Sequence, residues 1–323
     1  MQTQPYHLPA LLGPSIDALN IEASGTYVDC TLGGGGHTRA ILAALAKADA
    51  TAGRCECGRL LSFDQDTDAI RRALDDPELT ENPRLTIVHG NFRYLRNFLR
   101  YYGADAVDGI LADLGVSFHH FDDAQRGFSF RFEGPLDMRM NRDSQRTAAS
   151  LLAESSVAQL TDIFRLYGEL RQASRLAAAI AKARAEAPID TVERLLKVTA
   201  PYISAKQEKK ELAQLFQALR IVVNDEIGAL RALLTQAMEA LRPSGRLAII
   251  TYHSLEDRLV KNFLRTGNLE GRAEKDFFGR SLSPFRLLTS KPITPNEAEV
   301  EANPRSRSAK LRVAEKIAIA KQA

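Results

Sequence analysis

The 323-residue chain predicts an α/β fold, an open sheet of parallel strands interrupted by an all-helical insert. Three observations predict it. Short apolar runs that stop at Gly or Asp alternate with helical stretches as far as Asp113, the pattern of right-handed βαβ units. From about Ser150 the apolar period becomes that of helices alone. A strand pattern then returns at Arg246–Tyr252, so the C-terminal segment completes the sheet. The expected division is a sheet domain of residues 1–116 and 221–323 and a helical inserted domain of residues 117–220.

Taken in order, Tyr27–Leu32 is a strand that stops at the four glycines Gly33–Gly36, and Ala40–Leu45 is helix. Leu60–Phe63 is a second strand ending at Asp64, followed by helix over Ala69–Leu74. Leu85–His89 is a third, stopped by Gly90, and Gly109–Ala112 a fourth, ending at Asp113. In the insert, Ser156 and Gln159 form a capping box ahead of Leu160, Ile163, Phe164 and Tyr167, which share one helix face. Asp190 and Glu193 offer a second capping box. A stripe from Leu212 through Leu219, Ile227 and Leu234 to Leu241 is long for one helix, so a break is expected near Asn224–Asp225, and Pro243-Ser244-Gly245 ends it. Ser254 and Asp257 cap a helix carrying Leu259, Val260, Phe263 and Leu264. Phe285–Leu288 and Lys310–Val313 are late extended segments.

Composition removes whole classes of function. With 45% apolar and 26% charged residues, the chain is neither disordered, collagen-like nor a disulfide scaffold. No apolar run approaches the ~18 residues of a membrane span. Met1–Pro9 lacks the basic and apolar regions of a leader, so the default address is the cytoplasm. Cys30, Cys55 and Cys57 suit a reducing compartment. Cys55-Glu56-Cys57 has one spacer residue where structural zinc sites use two or more, so it reads as two thiols in a polar loop.

Gly33–Gly36 lies between a predicted strand and a predicted helix. Glycine lets the backbone approach a ligand, and the helix start offers free N–H groups. Neither the dinucleotide fingerprint nor a Walker loop is met: the third fingerprint glycine falls on Thr38 or Arg39, and no Gly-Lys-Ser/Thr follows. A tight turn alone explains the glycines equally well. Asp64 ends the next strand, where an acid can accept from both ribose hydroxyls; a helix cap is the alternative. Phe92 follows strand three and can stack on a base or belong to the core. Asp113 ends strand four, where open sheets hold their ligand crevice. Together these positions suggest a nucleoside-bearing cofactor without pyrophosphate.

The motifs are familiar as a set. Asp29-Cys-Thr-Leu-Gly-Gly-Gly-Gly-His37 resembles the glycine motif of class I S-adenosylmethionine methyltransferases. Asp113-Leu-Gly-Val-Ser117, Asp122–Phe130, Gly134–Met140, Phe216–Ile221, His253–Arg258 and Asn303–Arg312 stand in an order similar to that of the small-subunit ribosomal RNA cytosine-N4 methyltransferases, also called the methyltransferase H family. The resemblance covers nearly the whole chain. It implies a class I (Rossmann-like) methyltransferase sheet with an inserted helical, substrate-binding domain. It also implies S-adenosylmethionine as cofactor and, as substrate, the N4 amine of one cytidine at the peptidyl-tRNA site of the decoding centre in 16S rRNA. Carried over by position, the cofactor contacts fall on Gly35, Gly36, His37, Asp64, Phe92 and Asp113. A further contact, a glutamine in the family, stands here as His120, which can still donate or accept. Ala46–Gly58 looks longer than the family's loop and is expected to form a surface insertion.

Amino methyltransferases often place an Asp/Asn-Pro-Pro-aromatic run after strand four. Here it is Asp113-Leu114-Gly115-Val116, without prolines, which makes Asp113 the candidate catalytic acceptor and the Leu114 carbonyl its substitute. Tyr252 reads as a core aromatic or as a platform for a flipped base. His119-His120 reads as no metal site, since adjacent histidines rarely share an ion. The expected partner is 16S rRNA within the small ribosomal subunit, with no membrane and no metal; a homodimer is allowed. RNA contacts are expected from Arg126–Phe132, Phe277–Arg286 and Asn303–Lys316, the last with five basic residues against Glu315. Three other readings stay open: an amino methyltransferase acting on DNA or a small molecule, an RNA-binding assembly factor on a methyltransferase fold without turnover, and, more distantly, a nicotinamide dehydrogenase.

Overall fold

A computed structural model describes residues 9–53, 57–116, 118–279 and 281–318. They form two compact units, the described residues of 1–115 with those of 228–323, and the described residues of 116–227.

The first unit is built on seven strands, β1 (Thr26–Asp29), β2 (Arg59–Asp64), β3 (Leu85–His89), β4 (Val107–Asp113), β5 (Leu241–Thr251), β6 (Phe285–Leu287) and β7 (Lys310–Lys316). Their order is β3-β2-β1-β4-β5-β7-β6. The first five run parallel, and β7 is antiparallel to both β5 and β6. This is the class I methyltransferase sheet that the resemblance implies. Adjacent residues of each strand enter opposite cores: Val28, Leu61, Ile110 and Ile249 face one, Tyr27, Leu60, Leu111 and Ile250 the other. A sheet buried on both faces needs such continuous apolar runs. Leu95, Leu99, Leu233, Leu234, Val260 and Phe263 cover the first face from helices 95–101, 226–240 and 254–266. Leu19, Ile41, Leu45 and Ile70 cover the second from helices 12–19, 36–51 and 67–74.

Several expected boundaries move. Pro243-Ser244-Gly245 does not end the long helix, which stops at Ala240; it forms a bulge inside β5. Leu241 pairs with Val107 and pairing resumes only at Arg246 with Gly109, Ser244 lying at φ 67°. The helix starting at Ser254 is capped by His253, whose side chain accepts from the Glu256 N–H, rather than by Ser254 and Asp257. Ala46–Thr51 is not surface loop but the end of helix 36–51, anchored by the buried Asp49 accepting from the N–H groups of Ser24 and Gly58. Cys57 is exposed, while Cys55 lies outside the described residues.

The second unit is helical, with helices 148–154, 157–166, 173–186, 192–199 and 208–223 around Leu151, Leu160, Phe164, Leu176, Ile180, Leu195, Leu215 and Leu219. The Ser156–Gln159 capping box forms as expected. The second cap is Thr191 rather than Asp190, its side chain accepting from the Arg194 N–H. The break near Asn224 has a cause. Asn224 donates to the carbonyls of Met138 and Arg220 and accepts from the Met140 N–H, and Asp225 turns to φ 47°.

Candidate active site

The strand order reverses between β1 and β4, and in open α/β sheets that is where ligands sit, beyond the carboxyl ends of the strands. Five of the strands deliver residues there, all within the first unit.

From β1 the chain turns through Gly33 (φ 50°) and Gly35 (φ 78°) into the 16-residue helix that starts at Gly36. The Gly35 N–H donates to the Leu32 carbonyl at 2.6 Å. A Cβ on Gly36 would stand 2.7 Å from Pro9 Cγ, which blocks a side chain there, and the φ of 78° at Gly35 disfavours one at that position. Arg39 itself donates to the Gly34 carbonyl and is held by Asp76 and, at 3.2 Å, by Glu78. Below the turn the fully buried Asp29 fixes its frame. It accepts from the Thr31 N–H at 3.0 Å and from Thr38 Oγ1 at 2.7 Å, and Thr38 also meets Ser62 Oγ on β2.

At the end of β2, Asp64 accepts from the Gly33 N–H at 2.8 Å and from the Asp66 N–H at 2.9 Å. Burial pushes its carboxyl up to about 6, against those two N–H groups, which hold it down. Each oxygen spends one acceptor position there and keeps another for a ligand hydroxyl. Beyond β3, Asn91 caps the turn that carries Phe92 and donates to Gln65 Oε1 at 2.6 Å, joining the ends of β3 and β2. Phe92 is half-buried and packs against the core, with part of its ring left to the rim.

At the end of β4, the Asp113 N–H donates to Thr31 Oγ1 at 2.8 Å. Its Oδ1 accepts from the Tyr252 hydroxyl at 2.8 Å, and its Oδ2 lies 3.7 Å from His37 Nδ1. Burial pushes this carboxyl, too, up to about 6; His37 and the Tyr252 hydroxyl lower it, while Asp29 and Glu256 raise it. His37 is 4% exposed, and its Nε2 has no hydrogen-bond partner among the described residues. A buried polar atom of this kind awaits a partner. Glycine amides, two strand-end carboxylates, a half-buried ring and that imidazole suit a molecule carrying a ribose, a base and a charged amino-acid end.

Gly35, Gly36, His37, Asp64, Phe92 and Asp113 therefore share one rim of one sheet. The remaining candidate, His120, belongs to the second unit, where it is buried with its ring stacked on Phe128, centroids 4.9 Å apart and planes 15° from parallel. Thr31 and the hydroxyl of Tyr252 were not anticipated as partners of Asp113.

Two expected RNA-binding segments change character. Arg126 is 1% exposed and donates to the carbonyls of Arg139 and Met140, so it is a structural residue. Phe128 is buried and Phe130 packs edge-on to Phe216, leaving Arg131 and Phe132 at the surface. In the last segment, Arg312 and Lys310 pair with Asp257. By contrast Phe277 and Phe278 are 98% and 79% exposed.

The MraW methylase family matches residues 4–317 of this chain. Ribosomal RNA small subunit methyltransferase H of Bacteroides thetaiotaomicron is 56% identical over 311 residues, covering 96% of this chain and 97% of that protein. The protein of the same name from Phocaeicola vulgatus is 55% identical over 313 residues, 97% of this chain and 98% of its own. That from Porphyromonas gingivalis is 52% identical over 317 residues, 97% of each.

Proposed function

Since the chain belongs to the MraW methylase family and is an S-adenosylmethionine-dependent methyltransferase, we propose that it methylates the exocyclic N4 amine of one cytidine in 16S rRNA, at the peptidyl-tRNA site of the decoding centre. The name its relatives carry, ribosomal RNA small subunit methyltransferase H, supports an RNA substrate from the small ribosomal subunit, and the motif resemblance supports the cytidine amine. The cytoplasm is where that substrate is made.

The observation that carries the chemistry is Asp113, a carboxylate held at the switch point of the sheet with 19% of its side chain still exposed. The cytosine amine is a poor nucleophile because its lone pair is delocalised into the ring. A carboxylate accepting from its N–H makes that pair available. S-adenosylmethionine, when bound, would supply an electrophilic sulfonium methyl to that nitrogen, with a neutral thioether as the leaving group. The nitrogen becomes cationic and loses a proton, which Asp113 takes and passes to solvent. A carboxyl near pH 6 is ionised at neutral pH yet basic enough for that role. Asp64 would hold the ribose hydroxyls, His37 and the turn amides the amino-acid end, and Phe92 the adenine. Fixing both reactants in line supplies up to about 7–11 kcal/mol of the barrier.

The target base must leave its stack to reach a crevice. The helical unit is proposed to contact the RNA, with Arg131 and Phe132 exposed on it, and Phe277 and Phe278 offer stacking surface on the sheet unit. The test is transfer of labelled methyl to assembled small subunits, naked rRNA and DNA. Label recovered on cytidine N4 from the subunits supports the proposal; label on DNA, or on another base, contradicts it.

A further inference from the structure

We infer that Tyr252 is a positioning residue for the transfer step, its hydroxyl holding the Asp113 carboxylate in the orientation from which it accepts from the substrate amine. The inference rests on the reading of Asp113 given above and adds a residue 139 positions away.

Three contacts fix Asp113. Its N–H is tied to Thr31, its Oδ1 to Tyr252, and its Oδ2 faces His37. Only the first is backbone; without Tyr252 the orientation of the carboxylate rests on His37 alone, 3.7 Å from Oδ2. Tyr252 is itself placed firmly. Its N–H donates to Glu256 Oε2 at 3.2 Å, and Glu256 is 3% exposed. Its ring lies over Gly115, where a Cβ would stand 3.1 Å from Tyr252 Cδ2 and where φ is 116°. The glycine after Leu114 is what lets the ring come close enough for its hydroxyl to reach Asp113.

The charged groups around the pair give the contact its weight. Asp29 and Glu256 act on Asp113 as like charges, and His37 and the Tyr252 hydroxyl offset them. Tyr252 faces Asp113, Glu256 and Glu299; burial, and then Asp113, push its hydroxyl well above the usual range. It therefore keeps its proton and stays a donor at neutral pH.

Tyr252→Phe keeps the ring and removes the donor. With small ribosomal subunits and labelled S-adenosylmethionine, kcat should fall about ten-fold, the cost of one hydrogen bond to a charged group. KM and Kd for the cofactor should stay within about two-fold, which also shows that the variant is folded. The acid limb of kcat, set by Asp113 near pH 6, should move to higher pH, because the carboxylate has lost a stabilising donor. Wild-type kcat with an unmoved limb, or a loss confined to cofactor Kd, overturns the inference. Asp113→Asn is run alongside. If it keeps full turnover, the reading of Asp113 itself fails and the inference falls with it; if it is inactive while Tyr252→Phe behaves as wild type, only the inference fails.

Discussion

Gly33 donates its N–H to Oδ2 of Asp64 across 2.8 Å, joining the turn after β1 to the acid that ends β2. The residue expected to hold the ribose thus also shapes the loop expected to hold the amino-acid end. This one hydrogen bond couples the two halves of the candidate cofactor site.

Asp64→Ala removes a ligand acceptor and loosens the turn at once. Cofactor binding, measured by calorimetry, should weaken by about 2–3 kcal/mol, roughly a hundred-fold. Asp64→Asn keeps one acceptor oxygen and should lose less. Unchanged affinity in the alanine variant contradicts a role for Asp64 in holding the ligand.

Asp113 makes stability depend on pH in a stated direction. Its carboxyl titrates at about 6 when folded, against 3.8 ordinarily, so the folded state holds this proton more tightly than the unfolded chain does. The favourable contribution is present at about pH 4 and is lost as pH rises through 6. Asp113→Asn is neutral throughout. Denaturant titrations of the ligand-free proteins at pH 4.5 and 7 should show the wild type losing about 2 kcal/mol relative to that variant. An equal pH response in the two proteins contradicts the assignment.

Arg126→Leu tests the correction to the RNA-binding segments. The change leaves the buried carbonyl of Met140 and the part-buried carbonyl of Arg139 without this donor. It should cost about 2–4 kcal/mol, read as a fall in Tm, because unsatisfied buried polar groups are expensive. The salt dependence of RNA binding should not change, since a buried guanidinium releases no counterion.

Phe277→Ala combined with Phe278→Ala tests the exposed pair. Both rings are edge-on to one another at 5.6 Å and sit outside the core, so Tm should hold. If they stack on RNA bases, KM for small subunits should rise about ten-fold. An unchanged KM removes this loop from the interface.

Much of the frame was legible because a parallel strand buried on both faces has to read as an apolar run, and the first four such runs here close on Gly or Asp. That placed Asp64 and Asp113 at strand ends without any tertiary information. The Asn224 break was legible from the length of the stripe. What escaped was non-local or one residue wide. Tyr252 meets Asp113 because β4 and β5 are neighbours with Asp113 opposite Ile250, and strand order is not written in either segment. Thr191 beside Asp190, and His253 beside Ser254, are adjacent residues able to cap, which periodicity cannot separate. Arg126 was read as surface because charge usually is; its burial depends on carbonyls of Arg139 and Met140 that only the folded loop brings to it.

The most direct test is mass spectrometry of 16S rRNA nucleosides from a strain lacking this gene, complemented with the wild-type gene or with Asp113→Ala. N4-methylated cytidine at the decoding centre should vanish on deletion, return with the wild-type gene and stay absent with the variant. Its persistence in the deletion strain would contradict the proposed function outright.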